Sequence, residues 1–125
     1  MTGGATPRIS SFKLRLFEDH ARVALASGEP GVDLRGEEAR LAFAAASPLF
    51  VWLAAREPGV KVRSLSLDLA TGRVLVTVDD GGARPRVVRV DAPASEELLD
   101  GAAAVVAYLT ARAAEKLAAR KAAAS

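Results

Sequence analysis

The sequence predicts an α+β fold, in which an antiparallel sheet of about five strands is covered by two main helices. Three observations support this prediction. Apolar and polar residues alternate in 10–16 and again in 65–78, which is the period of half-buried strands. An uncharged segment, 41–55, lies between them, and an alanine-rich segment follows them. The predicted order is ββαβββα in one domain of 125 residues, with 1–8 and 120–125 expected to be frayed.

Residues 10–25 predict a β-hairpin with a tight turn at Glu18-Asp19, which would place six apolar side chains on one face. A helix over the same residues would scatter these side chains around its axis. The stretch 27–36, which contains Gly and Pro, then predicts a loop. The expected hairpin pairs are Leu16 with Ala21, Leu14 with Val23, and Phe12 with Leu25.

Residues 37–56 predict a central helix, either kinked or divided at Ser47-Pro48. Glu37 and Glu38 place negative charge at its N-terminus, and Glu57-Pro58-Gly59 ends it. Ser47 is the expected N-cap of the second part, followed by a first-turn proline. Large apolar side chains point in every direction around this helix, so more than one layer must cover it. They are Leu41, Phe43, Phe50, Val51, Trp52 and Leu53.

Residues 60–90 predict a three-stranded antiparallel meander with one apolar face. Thr71-Gly72 is the first turn signal, and a loop at 81–83 is the second. Val60 and Val62 are out of phase with the residues that follow, which predicts a bulge near Ser64. The expected pairs are 69 with 74, 67 with 76, 65 with 78, Val76 with Val88, and Val74 with Val90.

The segment after Pro93 predicts one long helix. Ser95 is the expected N-cap, and Glu96 and Glu97 suit the positive end of the helix dipole. The expected apolar stripe consists of Leu98, Ala102, Val105, Val106, Leu109 and Ala113. The opposite side carries small residues against which another helix could pack, although Ala is also simply a good helix former. These are Ala103, Ala107, Ala111, Ala114 and Ala118.

Few residues in the sequence could carry out catalysis. There is no Cys, which excludes disulfides and thiolate metal sites, and His20 is the only His. A metal site at Glu18-Asp19-His20 would need Asp33, Glu37 or Glu38 to be brought to it by the fold, and a solvated turn is the simpler interpretation. Neither a phosphate-binding Gly motif nor a Gly-x-Ser-x-Gly motif is present. We therefore expect no enzyme activity, no metal and no cofactor.

The chain is expected to be cytoplasmic. Residues 1–7 lack the basic start and apolar run of a signal peptide. As a helix, the uncharged segment 41–55 would be about 22 Å long, which is short of the roughly 30 Å core of a bilayer. No membrane partner is expected.

A small domain has little material with which to cover an apolar helix on all sides, so the sequence favours a symmetric homodimer that binds another protein. The alternative is nucleic-acid binding, to RNA or the ribosome, through an arginine-rich sheet face. Against it stand the balance of 17 cations to 15 acids and the lack of aromatic residues in the meander. A third hypothesis is a small-ligand pocket lined by Phe43, Phe50 and Trp52. The expected dimer contacts are Phe50, Trp52, Leu53, Ala103, Ala107 and Ala111, and the expected nucleic-acid contacts are Arg73, Arg84, Arg86 and Arg89.

The predicted order of hairpin, helix, meander and helix resembles the roadblock family of dimeric scaffold proteins. The helix-meander-helix part alone resembles double-stranded-RNA-binding and ribosome-hibernation domains. The first resemblance implies a scaffold, and the second implies RNA binding. The last helix of the double-stranded-RNA binders starts with Gly and Lys residues, whereas this chain has Ala-Ser-Glu-Glu at 94–97. We assign the chain to neither family.

Overall fold

A computed structural model describes residues 7–79, 81–82 and 84–124. These residues form a six-stranded antiparallel sheet and four helices, so the predicted α+β class is confirmed. The strands are β1 (Ile9–Arg15), β2 (His20–Leu25), β3 (Val32–Arg35), β4 (Lys61–Asp68), β5 (Val74–Asp79) and β6 (Arg86–Val90). The helices are α1 (Glu37–Ala45), α2 (Ser47–Arg56), α3 (Ala94–Asp100) and α4 (Ala103–Ala124).

The sheet order is β3-β2-β1-β4-β5-β6, so the first hairpin joins the meander through β1 and β4. Most apolar side chains of the strands share one face and form a single core with those of the helices. The other face is mainly polar, with Leu75 and Val87 as exceptions, and we call it the open face. The registers place two rows of side chains across it, Asp33-Arg22-Lys13-Ser66-Leu75-Arg89 and Arg35-His20-Arg15-Ser64-Thr77-Val87.

The first hairpin is confirmed, but its predicted register is wrong by two residues. Leu14 pairs with Ala21, and Phe12 pairs with Val23. The connection is longer than a tight turn, because Leu16–Glu18 form a 3-10 turn and Asp19 adopts a left-handed φ of 46°. A shift of two keeps every side chain on its predicted face.

The β4–β5 hairpin has the same shift, since Leu67 pairs with Val74 and Leu65 with Val76. Its longer loop is held by the Asp68 carboxylate, which accepts hydrogen bonds from the backbone N–H groups of Ala70 (2.9 Å) and Thr71 (3.1 Å). Side-chain bonding of this kind is how Asp stabilises turns. Two predictions in the meander are confirmed. They are the β5–β6 pairs, Val76 with Val88 and Val74 with Val90, and the bulge, which lies between Val62 and Ser64.

Strand β3 corrects the prediction that 27–36 is entirely a loop. Val32 pairs with Val23, and Leu34 pairs with Ala21, so both complete the apolar face at this edge. The alternation of Val-Asp-Leu-Arg is that of a strand, but it is only four residues long and follows Pro30-Gly31. A Cβ atom on Gly31 would lie 2.7 Å from the Val23 carbonyl oxygen, so the close approach of these strands requires glycine there.

Of the two alternatives predicted for the central helix, a kink or a division, the structure has the division, and α1 and α2 lie at 60° to each other. The prediction that Ser47 is an N-cap is wrong, because Ala46 occupies that position. The Ser47 hydroxyl instead donates a 2.6 Å hydrogen bond to the Ala44 carbonyl oxygen. Within the described part of the chain, no helix is by itself both long and apolar enough to cross a membrane.

The last helix, predicted to be continuous, is divided at Gly101-Ala102. The division lies where Gly101 approaches α2, since a Cβ atom on Gly101 would be 3.4 Å from the Leu49 side chain. The prediction that Ser95 caps this helix is wrong. Pro93 is the N-cap of α3, and Ser95 lies buried within the helix. The predicted apolar stripe is buried except for Val106, which is half-buried.

Helix α4 is held at both α1 and β3. The Tyr108 hydroxyl donates a 2.9 Å hydrogen bond to the Glu38 carbonyl oxygen, and burial raises the pKa of Tyr108. The Arg120 guanidinium donates to the carbonyl oxygens of Pro30 (2.8 Å) and Gly31 (2.6 Å), just before β3. The helix continues to Ala124, while residues 1–6 and 125, which belong to the ends expected to fray, lie outside the described residues.

Candidate interaction surfaces

An apolar groove lies between α2 and the β6 end of the sheet, and we call it the β6 groove. It has a volume of about 380 Å³. Its walls are mainly valine side chains from β4, β5 and β6, together with α2 residues. They include Val62, Val76, Val78, Val88, Val90 and Trp52.

The β6 groove exists because the helices do not cover the whole sheet. Helix α1 packs on β1, β2 and β3, at the other end. Val74 and Val76 on β5 are buried, whereas their partners Val90 and Val88 on β6 are only half-buried. Among the strands of the described chain, β6 pairs with β5 alone, so the groove adjoins a free strand edge.

Polar groups hold Trp52 at the rim of the β6 groove. The indole Nε1 donates a 3.2 Å hydrogen bond to Glu97, and the Arg56 guanidinium carbon lies 4.7 Å from the ring centroid. Contacts of both kinds suit the amphipathic indole ring. Arg89 also lines the groove, and its Nε donates a 2.7 Å hydrogen bond to Asp91. The rim therefore carries charges of both signs.

The residues predicted from the apolar helix occupy different environments. Leu53 is only 4% exposed and belongs to the core, while Phe50 and Trp52 are half-buried. Val51 is 70% exposed, so the helix is not covered on every side within one chain. Of the three residues predicted to line a ligand pocket, Trp52 lines the β6 groove, whereas Phe43 and Phe50 do not. The alanines at 103, 107 and 111 are exposed on α4 and lie outside the groove lining.

The arginines predicted for nucleic-acid binding are distributed over the β4–β6 region. Arg89 lies on the open face, opposite Leu75. Arg86 is opposite Val78, whose side chain belongs to the core face. Arg73 precedes β5, and Arg84 lies in the β5–β6 loop.

A second group of cations, not predicted from the sequence, occupies the open face. Lys13 and Arg15 come from β1, Arg22 from β2, and Arg35 from β3. Beside them is a recess of about 280 Å³, which we call the cationic recess. Alternation on β1 already placed Lys13 and Arg15 on the polar face, but only the β1–β4 pairing brings them beside the bulge of β4. The main residues of the recess are Lys13, Arg15, Phe17, Arg63, Ser64 and Thr77.

His20 is not in a solvated turn as expected: it is 7% exposed, at the start of β2. Its Nε2 lies 2.8 Å from Asp33 Oδ1, and Arg22 Nη1 lies 2.7 Å from the other carboxylate oxygen. The hydrogen bond from His20, assisted by Arg22, outweighs desolvation and lowers the pKa of Asp33. The pairing of β2 with β3 brings these residues together, so their side-chain hydrogen bonds link the two strands.

Among the residues that the structure describes, no group of three or more His, Asp or Glu side chains is placed to hold a metal ion. Comparisons with protein-family models, curated proteins and solved structures find no match to the chain. The interpretation of its surfaces therefore depends on their own geometry and charge.

Proposed function

We propose that the protein is a non-enzymatic interaction module that forms a symmetric homodimer through the β6 groove. One observation carries this proposal: Val88 and Val90 remain half-buried beside a strand edge that is unpaired in the described chain. A large apolar side chain gains roughly 1.5 to 3 kcal/mol on full burial, so covering this groove would be favourable. A free strand edge is also a template for another strand.

The sequence of β6 suits pairing with itself. In an antiparallel pair centred on Val88, Arg86 of each copy would lie opposite Val90 of the other, and Val87 opposite Arg89. No arginine would face another arginine, so the pairing avoids direct repulsion between like charges. Each of these contacts would occur twice, once from each copy, as a two-fold symmetric interface requires.

The charges at the rim also favour a second copy over a strongly charged partner. Arg56 and Arg89 are cationic, while Glu57 and Asp91 are anionic, and all four line the β6 groove. An acidic or a basic partner would meet like charge at part of this rim. An identical surface offers both signs, so each charge can find its complement.

Pairing of β6 between two copies is too small an interface by itself, so the β6 grooves of both copies must be buried as well. Such an interface buries roughly 800 Å² on each partner. This is about a ninth of the 7254 Å² that the protein exposes. A five-residue strand offers only a narrow contact, so the valines of both grooves would need to be covered as well.

The experiment is a mass measurement by light scattering coupled to gel filtration. We expect the wild type to have twice the 13.0 kDa mass of the chain at about 50 µM, a concentration well above a micromolar Kd. Val88→Asp should be monomeric, because it places a carboxylate in the apolar groove. Val87→Asp is the matched control: it lies on the open face of the same strand and would meet Arg89 of the partner, so the dimer should persist.

Circular dichroism and urea unfolding must show that both variants remain folded. A wild type that is monomeric at this concentration would refute the homodimer. A Val88→Asp variant that is folded and still dimeric would show that another surface forms the interface.

A further inference from the structure

The cationic recess holds more positive than negative charge. Lys13, Arg15 and Arg63 line it, whereas Glu18 is its only carboxylate among the described residues. Glu18 lies 3.6 Å from Arg15, and this exposed pair is weak. The Lys13 ammonium group forms no ion pair with the described part of the chain. Hydroxyl groups of Ser64 and Thr77 add hydrogen-bond donors, so the recess is suited to an anion.

Phe17 gives the recess an aromatic wall. Its side chain is 56% exposed and does not pack against the hydrophobic core. The Arg63 guanidinium carbon lies 4.9 Å from the ring centroid. An exposed ring beside cations is the combination with which proteins hold single strands, because the ring stacks on a base while the cations contact phosphates. Sequence patterns showed no aromatic residue in the meander, and the fold supplies one from the turn before β2.

We propose that the cationic recess binds a nucleotide unit of single-stranded nucleic acid, with the base on Phe17 and the phosphate at Lys13 and Arg15. Arg35 on β3 adds a cation to the same face, two strands from Arg15, whereas the charge of Arg22 on β2 is offset by its ion pair with Asp33. Adjacent strands are about 4.8 Å apart, so Arg15 and Arg35 could contact successive phosphates of one strand. Phe17 is the one aromatic ring among the described residues that line the recess, so one base would stack there.

The structure favours a single strand over a duplex. Bases in a duplex are stacked on each other, so the ring of Phe17 would have no exposed base face to contact. The chain contains no Asn or Gln, which are the residues that pair with adenine edges. We therefore expect little sequence preference.

This inference is independent of the proposed dimer. The cationic recess is on the open face, while the β6 groove is on the face covered by helices. A monomeric Val88→Asp variant should therefore still bind nucleic acid through the recess.

The experiment is fluorescence anisotropy with a labelled oligouridine of about 10 nucleotides, within the range of single-strand site sizes. Binding should occur at about 50 mM salt and weaken sharply by about 200 mM. Phe17→Ala should weaken binding roughly 5- to 100-fold, and Phe17→Tyr should restore it, because only the first removes the stacking ring. Lys13→Glu should weaken binding and make it less sensitive to salt.

Lys121→Glu is the control, since it makes the same Lys-to-Glu change in the last turn of α4, outside the lining of the recess, and should leave binding unchanged. All variants must keep the wild-type circular dichroism spectrum. Absence of binding at the lower salt concentration would refute the proposal, as would equal binding by Phe17→Ala. An RNA duplex that competes as well as the single strand would also refute it. If free uridine monophosphate competes as well as the oligouridine does, the proposal that the ligand is a nucleic-acid strand is refuted.

Discussion

His20 and Asp33 are thirteen positions apart in the chain, yet Nε2 of the first lies 2.8 Å from Oδ1 of the second. The bond joins β2 to β3, which is the shortest strand of the sheet and forms its edge. Arg22 binds the other oxygen of Asp33, but both partners of that ion pair are exposed. The buried imidazole therefore makes the more important contact.

Replacement of Asp33 by Ala should lower the free energy of unfolding by about 1 to 3 kcal/mol, because the buried ring N–H of His20 would lose its acceptor. Urea unfolding followed by circular dichroism measures this change. Asp33→Asn should cost less, since its amide oxygen can still accept the hydrogen bond. A loss in Asp33→Ala no larger than that in Asp33→Asn would contradict the assignment.

The same carboxylate should make stability depend on pH. The pKa of Asp33 is lowered from 3.8 by folding, so its contribution is complete above that pH and is lost as the pH falls through the folded pKa. The wild type should thus lose more stability than Asp33→Asn as the pH is lowered below about 3.8. Parallel pH profiles for the two proteins would show that Asp33 is not responsible.

Two neighbouring residues of α2 should respond differently to truncation. Leu53 is buried in the core, so Leu53→Ala should lower the free energy of unfolding by about 2 to 5 kcal/mol. Val51 is exposed, and Val51→Ala should change the free energy of unfolding by less than about 0.5 kcal/mol. Urea unfolding at a concentration where the protein is monomeric provides the comparison. A large loss of unfolding free energy in Val51→Ala would contradict the exposure of this side of α2.

Two glycines provide a similar contrast. Gly31→Ala should destabilise the protein by about 1 to 3 kcal/mol, because the new methyl group would overlap the Val23 carbonyl oxygen, a backbone atom that cannot easily move. Gly101 has a φ of −79°, and a methyl group there meets Leu49 at ordinary contact distance. Gly101→Ala should therefore be neutral or stabilising by about 0.4 to 1 kcal/mol. Thermal unfolding can rank the two variants against the wild type.

The alternation of residue types predicts which side chains face the core, but it does not predict strand register. Leu14 faces inward whether its partner is Val23, as expected, or Ala21, as found. A shift of two residues leaves the pattern unchanged, and the choice is made by the length of the connection. The 3-10 turn before Asp19 and the side-chain bonds of Asp68 are local details that periodicity does not contain.

The candidate sites depend on contacts between distant parts of the chain. Lys13 and Thr77 line one recess only because β1 pairs with β4, and no local pattern encodes that pairing. His20 is buried because β3 pairs beside it, and β3 is too short and too close to Pro30 to be recognised as a strand. The sequence did indicate the apolar half of α2, from which Trp52 lines the β6 groove.

Arg120 anchors the last turns of α4 to the chain just before β3, which bears on the proposed pairing of copies. Val32, Asp33 and α4 residues near Arg120 line a shared surface depression, so the helix flanks that border of the sheet. At the other border, β6 pairs with no strand of the described chain other than β5. Copies that join at β6 would thus complete a finite pair, because extension into a fibre would require a second accessible border.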